Sequence, residues 1–154
     1  MLAITLQQVL HVTGLPDQTL RHWRSTLPPL KGRNAYTACF SPSDALALLV
    51  LKQLVRDMGI SVASLREVSV HLFDLCSNVA WRQLSDRVLA IDVLRGDVTF
   101  WAGKYDVDAP MVMLPMSPLA NQLQAAWAED GPSIGQLSLI APPLNKTITQ
   151  RTSQ

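Results

Sequence analysis

Residues Asp17 to Ser41 read DQTLRHWRSTLPPLKGRNAYTACFS. The stretch opens as a short amphipathic helix, predicted over roughly Asp17 to Ser25, with Leu20 and Trp23 three apart on one side. Asp17 suits the first turn, where a carboxylate meets the positive end of the helix dipole. Pro28-Pro29 ends the helix, and Leu30 to Phe40 is predicted as a short hairpin or loop with Gly32 and Asn34 as turn residues. Upstream, Thr5-x-x-Gln8 is a capping-box pattern opening an earlier helix with Leu6, Val9, Leu10 and Val12 on its apolar side. Gly14 stops that helix, so only Gly14, Leu15 and Pro16 separate the two. Short helices joined by a tight glycine-containing turn make a helix-turn-helix.

Downstream, Ser41-Pro42 places serine at an N-cap and proline at the first helical position. The third helix carries Leu48, Leu51, Leu54, Val55 and Met58 at core-facing spacing, and Gly59 closes it. Ser61 caps a fourth helix with Leu65, Val68, Leu72 and Leu75 on one side. After Asn78 the texture changes. Trp81 to Leu84 reads as a short helical piece. Arg87 to Leu94 and Val98 to Ala102 are β-branched and aromatic runs joined by the turn Arg95-Gly96-Asp97. Met111 to Leu114 reads as a strand, and Ser117-Pro118 caps a last helix with Leu119, Leu123, Ala126 and Trp127 on one face. Gly131-Pro132 breaks it, and Ser133 to Ala141 reads as a further strand. The expected class is α+β: an N-terminal unit over residues 1–78, a small α+β domain with a β-hairpin over 79–141, and a flexible tail over 142–154.

The chain has 154 residues, of which 48% are hydrophobic and 16% charged, enough apolar content for a packed core. The net charge is only +1, yet residues 1–66 carry seven Lys and Arg against three Asp and Glu, while residues 67–154 carry six against nine. A basic first part and an acidic second part imply division of labour. Two cysteines, Cys39 and Cys76, make no disulfide framework. The longest unbroken apolar run, Ala45 to Leu51, is too short to span a membrane. No basic stretch precedes an apolar one at the start, so a cytoplasmic chain without membrane contact is expected.

Thr5-Leu6-Gln7-Gln8-Val9, Thr13-Gly14-Leu15 and Thr19-Leu20-Arg21-His22-Trp23 are followed by Leu27-Pro28-Pro29, the loop through Arg33, Tyr36 and Phe40-Ser41, then Met58-Gly59-Ile60-Ser61 and Leu65-Arg66-Glu67-Val68. In this order and spacing, residues 4–68 resemble the DNA-binding domain of the MerR family. The resemblance implies a winged helix-turn-helix: the second helix in the major groove, the following hairpin as a wing on the backbone, and two helices behind. The implied partner is double-stranded DNA. On that reading Gln18, Thr19, Arg21, His22 and Arg24 reach outward from the second helix, where Arg can grip a phosphate or the O6/N7 edge of guanine and Gln can pair with adenine. Lys31, Arg33 and Asn34 on the wing would meet phosphates. Tyr36 and Thr37 belong to the same contact set, and Thr5 caps its helix and touches a phosphate. The chain departs from the family pattern at several points. His22 stands where tyrosine is usual and Gln18 where arginine is frequent. Ala35-Tyr36-Thr37 replaces the common Gly-Tyr-Arg, which removes a glycine and a cation from the wing, with Arg33 as the compensating charge.

The long coiled-coil helix of many MerR-like regulators is missing, and the second part has no family resemblance. It is expected to serve homodimerisation, since palindromic sites favour two-fold proteins, or to contact an effector or another protein. Trp81, Phe100, Trp101, Met111, Met113 and Trp127 are expected as core, with a small-molecule pocket as the alternative. His71 and Cys76 fall on different helix sides and make no metal site. No phosphate loop, His-Glu-x-x-His or nucleophile elbow is present, so no enzyme and no cofactor are expected. The expected function is a dimeric transcriptional regulator. Its competitors are an excisionase-like architectural factor of a mobile element, and a protein-interaction module that has lost DNA binding.

Overall fold

The computed structural model describes residues 3–33, 39–101, 103 and 108–129. Among them the chain is α+β, with five α-helices and one three-stranded antiparallel sheet of order β2-β1-β3. The strand read at Ser133 to Ala141 and the tail lie outside the described residues.

Helix α1 spans Leu6–Thr13. Its start is fixed reciprocally: the Thr5 hydroxyl accepts from the Gln8 amide at 3.2 Å, and the Gln8 side-chain oxygen accepts from the Thr5 amide at 2.8 Å. Two otherwise orphaned donors are thereby satisfied. Thr5→Ala should lower stability by about 1 kcal/mol, read as a fall in the urea midpoint with an unchanged slope. Gly14 ends the helix at φ 68, and Lys52 Nζ donates to the Thr13 carbonyl at 3.0 Å, bringing a cation to the negative end of the dipole. Helix α2 spans Asp17–Thr26 and buries Leu20 and Trp23, as their spacing predicts. Pro28 ends the helix, because its ring disfavours a helical conformation in Leu27, which is extended at φ −95 and ψ 122, and a 3-10 turn follows at Pro28–Leu30. Ile4 and Phe40 then pair through backbone hydrogen bonds of 2.8 and 3.2 Å, closing the unit at its base.

Helix α3 spans Pro42–Lys52 and is capped by Ser41. Every residue from Asp44 to Leu51 is buried, since α1, α4 and α5 pack around it. A helix apolar on all sides is a central helix. Beyond Lys52 the chain widens into a π-type turn over Gln53–Asp57 before Gly59. That widening shifts the helical phase, so Met58, expected in the core, is 47% exposed, and Val55 is only half-buried. Ser61 caps a 3-10 turn at Val62–Leu65, which leads into α4 at Arg66–Ser77. Leu65, Val68 and Leu72 are buried and Leu75 half-buried.

Strand β1, Val88–Asp92, is the centre of the sheet, flanked by β2 at Asp97–Phe100 and β3 at Val112–Pro115. Leu89 and Ile91 lie opposite Phe100 and Val98 on one side, and opposite Leu114 and Val112 on the other. Gly96 closes the β1–β2 turn by donating to the Asp92 carbonyl at 2.8 Å, and Asp97 is already the first residue of β2. Helix α5 spans Met116–Glu129. It starts one residue before the predicted cap because the Met116 amide donates to the Arg87 carbonyl at 3.0 Å, carrying the chain straight from sheet into helix. Met116, Leu119, Ala120, Leu123 and Trp127 are buried, with α5 packed on α1, α3 and the 3-10 turn at Trp81–Asp86. The Trp81 and Trp127 rings meet at 5.4 Å and 57°, a tilted aromatic pair. Met113, expected as core, is 41% exposed on the edge strand. One apolar cluster includes residues from Ile4 to Trp127.

Candidate nucleic-acid interface

Helix α2 sorts its side chains by period. Leu20, Trp23 and the following Leu27 are each 1% exposed and anchor the helix to the core. Gln18, Arg21, His22 and Ser25 follow the three-and-four spacing of one helix face, and all four are exposed. Thr19 is half-buried at the margin of that face. Ser25 Oγ and Thr26 Oγ1 turn back to the His22 carbonyl at 2.7 and 3.1 Å. Gln18, Arg21 and His22 are thus the outward-reaching groups. A planar guanidinium, an amide and an imidazole on one stripe can donate to phosphate oxygens or to base edges.

Arg21 Nη2 lies 2.9 Å from Asp17 Oδ2, an (i, i+4) pair in which the side chains are 76% and 49% exposed. The four-residue spacing that makes this pair possible is legible in the sequence.

Two other expected contact residues, Arg24 and Arg33, make hydrogen bonds within the chain. Arg24 donates through Nη2 to the Arg33 carbonyl. Arg33 donates through Nε to the Pro29 carbonyl at 3.3 Å, and through Nη1 to the Cys39 carbonyl at 2.6 Å and to Asp44 Oδ2 at 2.7 Å. Its guanidinium also lies 5.4 Å from the Phe40 ring centroid. One cation therefore ties together the two ends of the loop and the first turn of α3. Arg33 acts here as an internal staple through Nε and Nη1, with its side chain 26% exposed. Lys31 is exposed at the start of the loop. Asn34, Ala35, Tyr36 and Thr37 lie outside the described residues. Thr5 is exposed near the start of α1, with its hydroxyl oxygen engaged in the cap.

Pro28, Ala63, Arg66, Glu67, Val70 and His71 line a groove of about 620 Å³. His71 Nδ1 lies 2.6 Å from the Gly96 carbonyl, linking α4 to the β1–β2 turn. In that turn Arg95 bridges Asp92 and Asp108, at 3.7 and 3.1 Å. The bridge offsets the like charges of Asp92 and Asp97, which face each other across the strands. The Arg95 guanidinium holds the Asp108 carboxyl below the usual carboxylate range. Burial pushes the Cys76 thiol up to about 12, with the nearby Asp44 charge adding to the effect, so at neutral pH it is a protonated core side chain.

Among the described residues no group of three or more His, Cys, Asp or Glu is placed to hold a metal ion, and no helix is long and apolar enough to cross a membrane. No protein-family model matches the chain, and no curated protein or solved structure does so either.

Proposed function

We propose that the chain is a sequence-specific double-stranded DNA-binding protein, a dimeric transcriptional regulator built on a MerR-like winged helix-turn-helix. Helix α2 enters the major groove, and the loop after it lies on the backbone. The observation that carries this reading is the sorting of α2: Gln18, Arg21 and His22 project from one exposed stripe while Leu20 and Trp23 lock the opposite side into the core. A helix anchored in this way presents its polar groups rigidly, which base-edge recognition requires. The apolar face of α5 is consumed inside the protomer, so dimerisation in this proposal uses another surface.

Fluorescence anisotropy with a random labelled duplex across a salt series tests the proposal. Counterion release makes the logarithm of the binding constant fall linearly with the logarithm of salt, by about 0.9 per phosphate contact. Lys31→Ala should make that slope shallower by about 0.9 if Lys31 meets a phosphate. Arg33→Ala should leave the slope per folded molecule unchanged, because Arg33 is tied internally.

The second reading, a protein-interaction module, draws support from the internal use of Arg24 and Arg33, which removes two cations from the face. Absence of duplex binding at low salt, from protein shown to be folded, would favour it. Strong bending and occupancy of several adjacent sites would favour an architectural factor.

A further inference from the structure

We infer that Asp17 is a positioning residue that presents Arg21 to a guanine in the major groove. The inference rests on the DNA-binding reading of α2 and adds to it the base that Arg21 reads.

Arg24 donates to the Arg33 carbonyl, which leaves Arg21 as the one arginine that α2 directs to solvent. Arg21 Nη2 lies 2.9 Å from a carboxylate one turn earlier, in a pair whose side chains are 76% and 49% exposed. For a cation that serves phosphates alone, such a neighbour is a handicap. It neutralises the charge that releases counterions, and it brings an anion toward the polyanionic backbone. What the carboxylate supplies is direction. A guanidinium has five N–H donors in a rigid plane, and Asp17 engages Nη2 through a single oxygen. Enough donors remain for a bidentate edge, and that edge has the geometry of guanine O6 and N7. Fixing a long side chain before contact also lowers the entropy lost on binding. Asp17 therefore trades non-specific affinity for discrimination.

Selection from a randomised duplex pool tests this, with thermal melts to confirm that each variant is folded. Wild type should select guanine at a defined position, and Arg21→Ala should lose the preference there, which assigns that position to Arg21. Asp17→Asn should bind random duplex more tightly than wild type, while its discrimination at the same position falls by about tenfold. Asp17→Glu should recover part of it. A structural role at the start of the helix would move the melting temperature and leave base preference unchanged. Retention of the full guanine preference in Asp17→Asn, or equal weakening toward all sequences, would overturn the inference. Salt-dependent binding by wild type with no guanine position would overturn it alone and leave DNA binding standing. Failure of folded wild type to bind any duplex would remove both.

Discussion

Asp44→Ala is expected to lower the stability of the fold by about 3 kcal/mol. The Asp44 residue is 8% exposed, and its Oδ2 accepts from Arg33 Nη1 at 2.7 Å and from the Ser41 amide at 2.8 Å, while its own amide donates to Ser41 Oγ at 3.1 Å. One carboxylate thus caps α3 and neutralises the cation that gathers the ends of the preceding loop. Truncating it leaves a guanidinium whose side chain is only 26% exposed without its counter-charge. Losing one partner of a buried pair costs about 3–5 kcal/mol, and the partial exposure of Arg33 places this case at the lower end. Loss of the cap contributes about 1 kcal/mol within that total. Asp44→Asn keeps an oxygen for the Ser41 amide and removes only the charge, so it should cost about half as much. Urea denaturation of the two variants separates the contributions. A loss below about 1 kcal/mol in Asp44→Ala would mean that the pair is a solvated contact of the ordinary surface kind.

The same cluster shows where sequence reasoning reaches and where it stops. The Thr5 and Gln8 cap, the Gly14 stop and the Leu20 and Trp23 anchors are local, set by residues three or four apart, and they were readable before any coordinates. Ser41 was readable as a cap, yet the carboxylate at Asp44 joins that cap to Arg33, eleven residues away. A basic loop residue looks the same in sequence whether its partner is a phosphate or a buried carboxylate. Only the tertiary path of the chain decides between them. Periodicity had a different limit in α3. The run Ala45 to Leu51 says that the helix is apolar, but how many neighbours cover it depends on α5, which returns from residue 116 to pack on α1 and α3. Met58 was misplaced because a π-type turn changes the rotation per residue, and an extrapolated helical phase then points to the wrong face. For the candidate site, the exposed stripe of α2 was legible because it is the complement of two anchors. The pairing of Asp17 with Arg21 is equally legible from its four-residue spacing.

Gly96→Ala should destabilise the fold by about 2–5 kcal/mol, through two costs that add at one atom. The residue has φ +78, where an L side chain crowds the following carbonyl at a cost of about 1–2 kcal/mol. A Cβ there would also lie 2.7 Å from Glu67 Cβ and 3.6 Å from the Glu67 backbone carbon, closer to the first than side-chain carbons approach. Neither of those atoms is the free end of a flexible chain, so the β1–β2 turn must lift from α4, and overpacking of this kind costs about 1–3 kcal/mol. Lifting also strains the contact of His71 Nδ1 with the Gly96 carbonyl, now 2.6 Å. Gly59→Ala supplies the comparison: its φ is +70, and nothing lies within 4 Å of an added Cβ, so it incurs the backbone cost alone. The difference between the two variants in urea denaturation measures how tightly the sheet is seated on α4. Equal losses would mean that the turn yields freely and that the second part of the chain is held chiefly by α5. A larger loss at Gly96 would place a rigid contact between the sheet and α4, the helix whose Arg66, Glu67, Val70 and His71 line the groove.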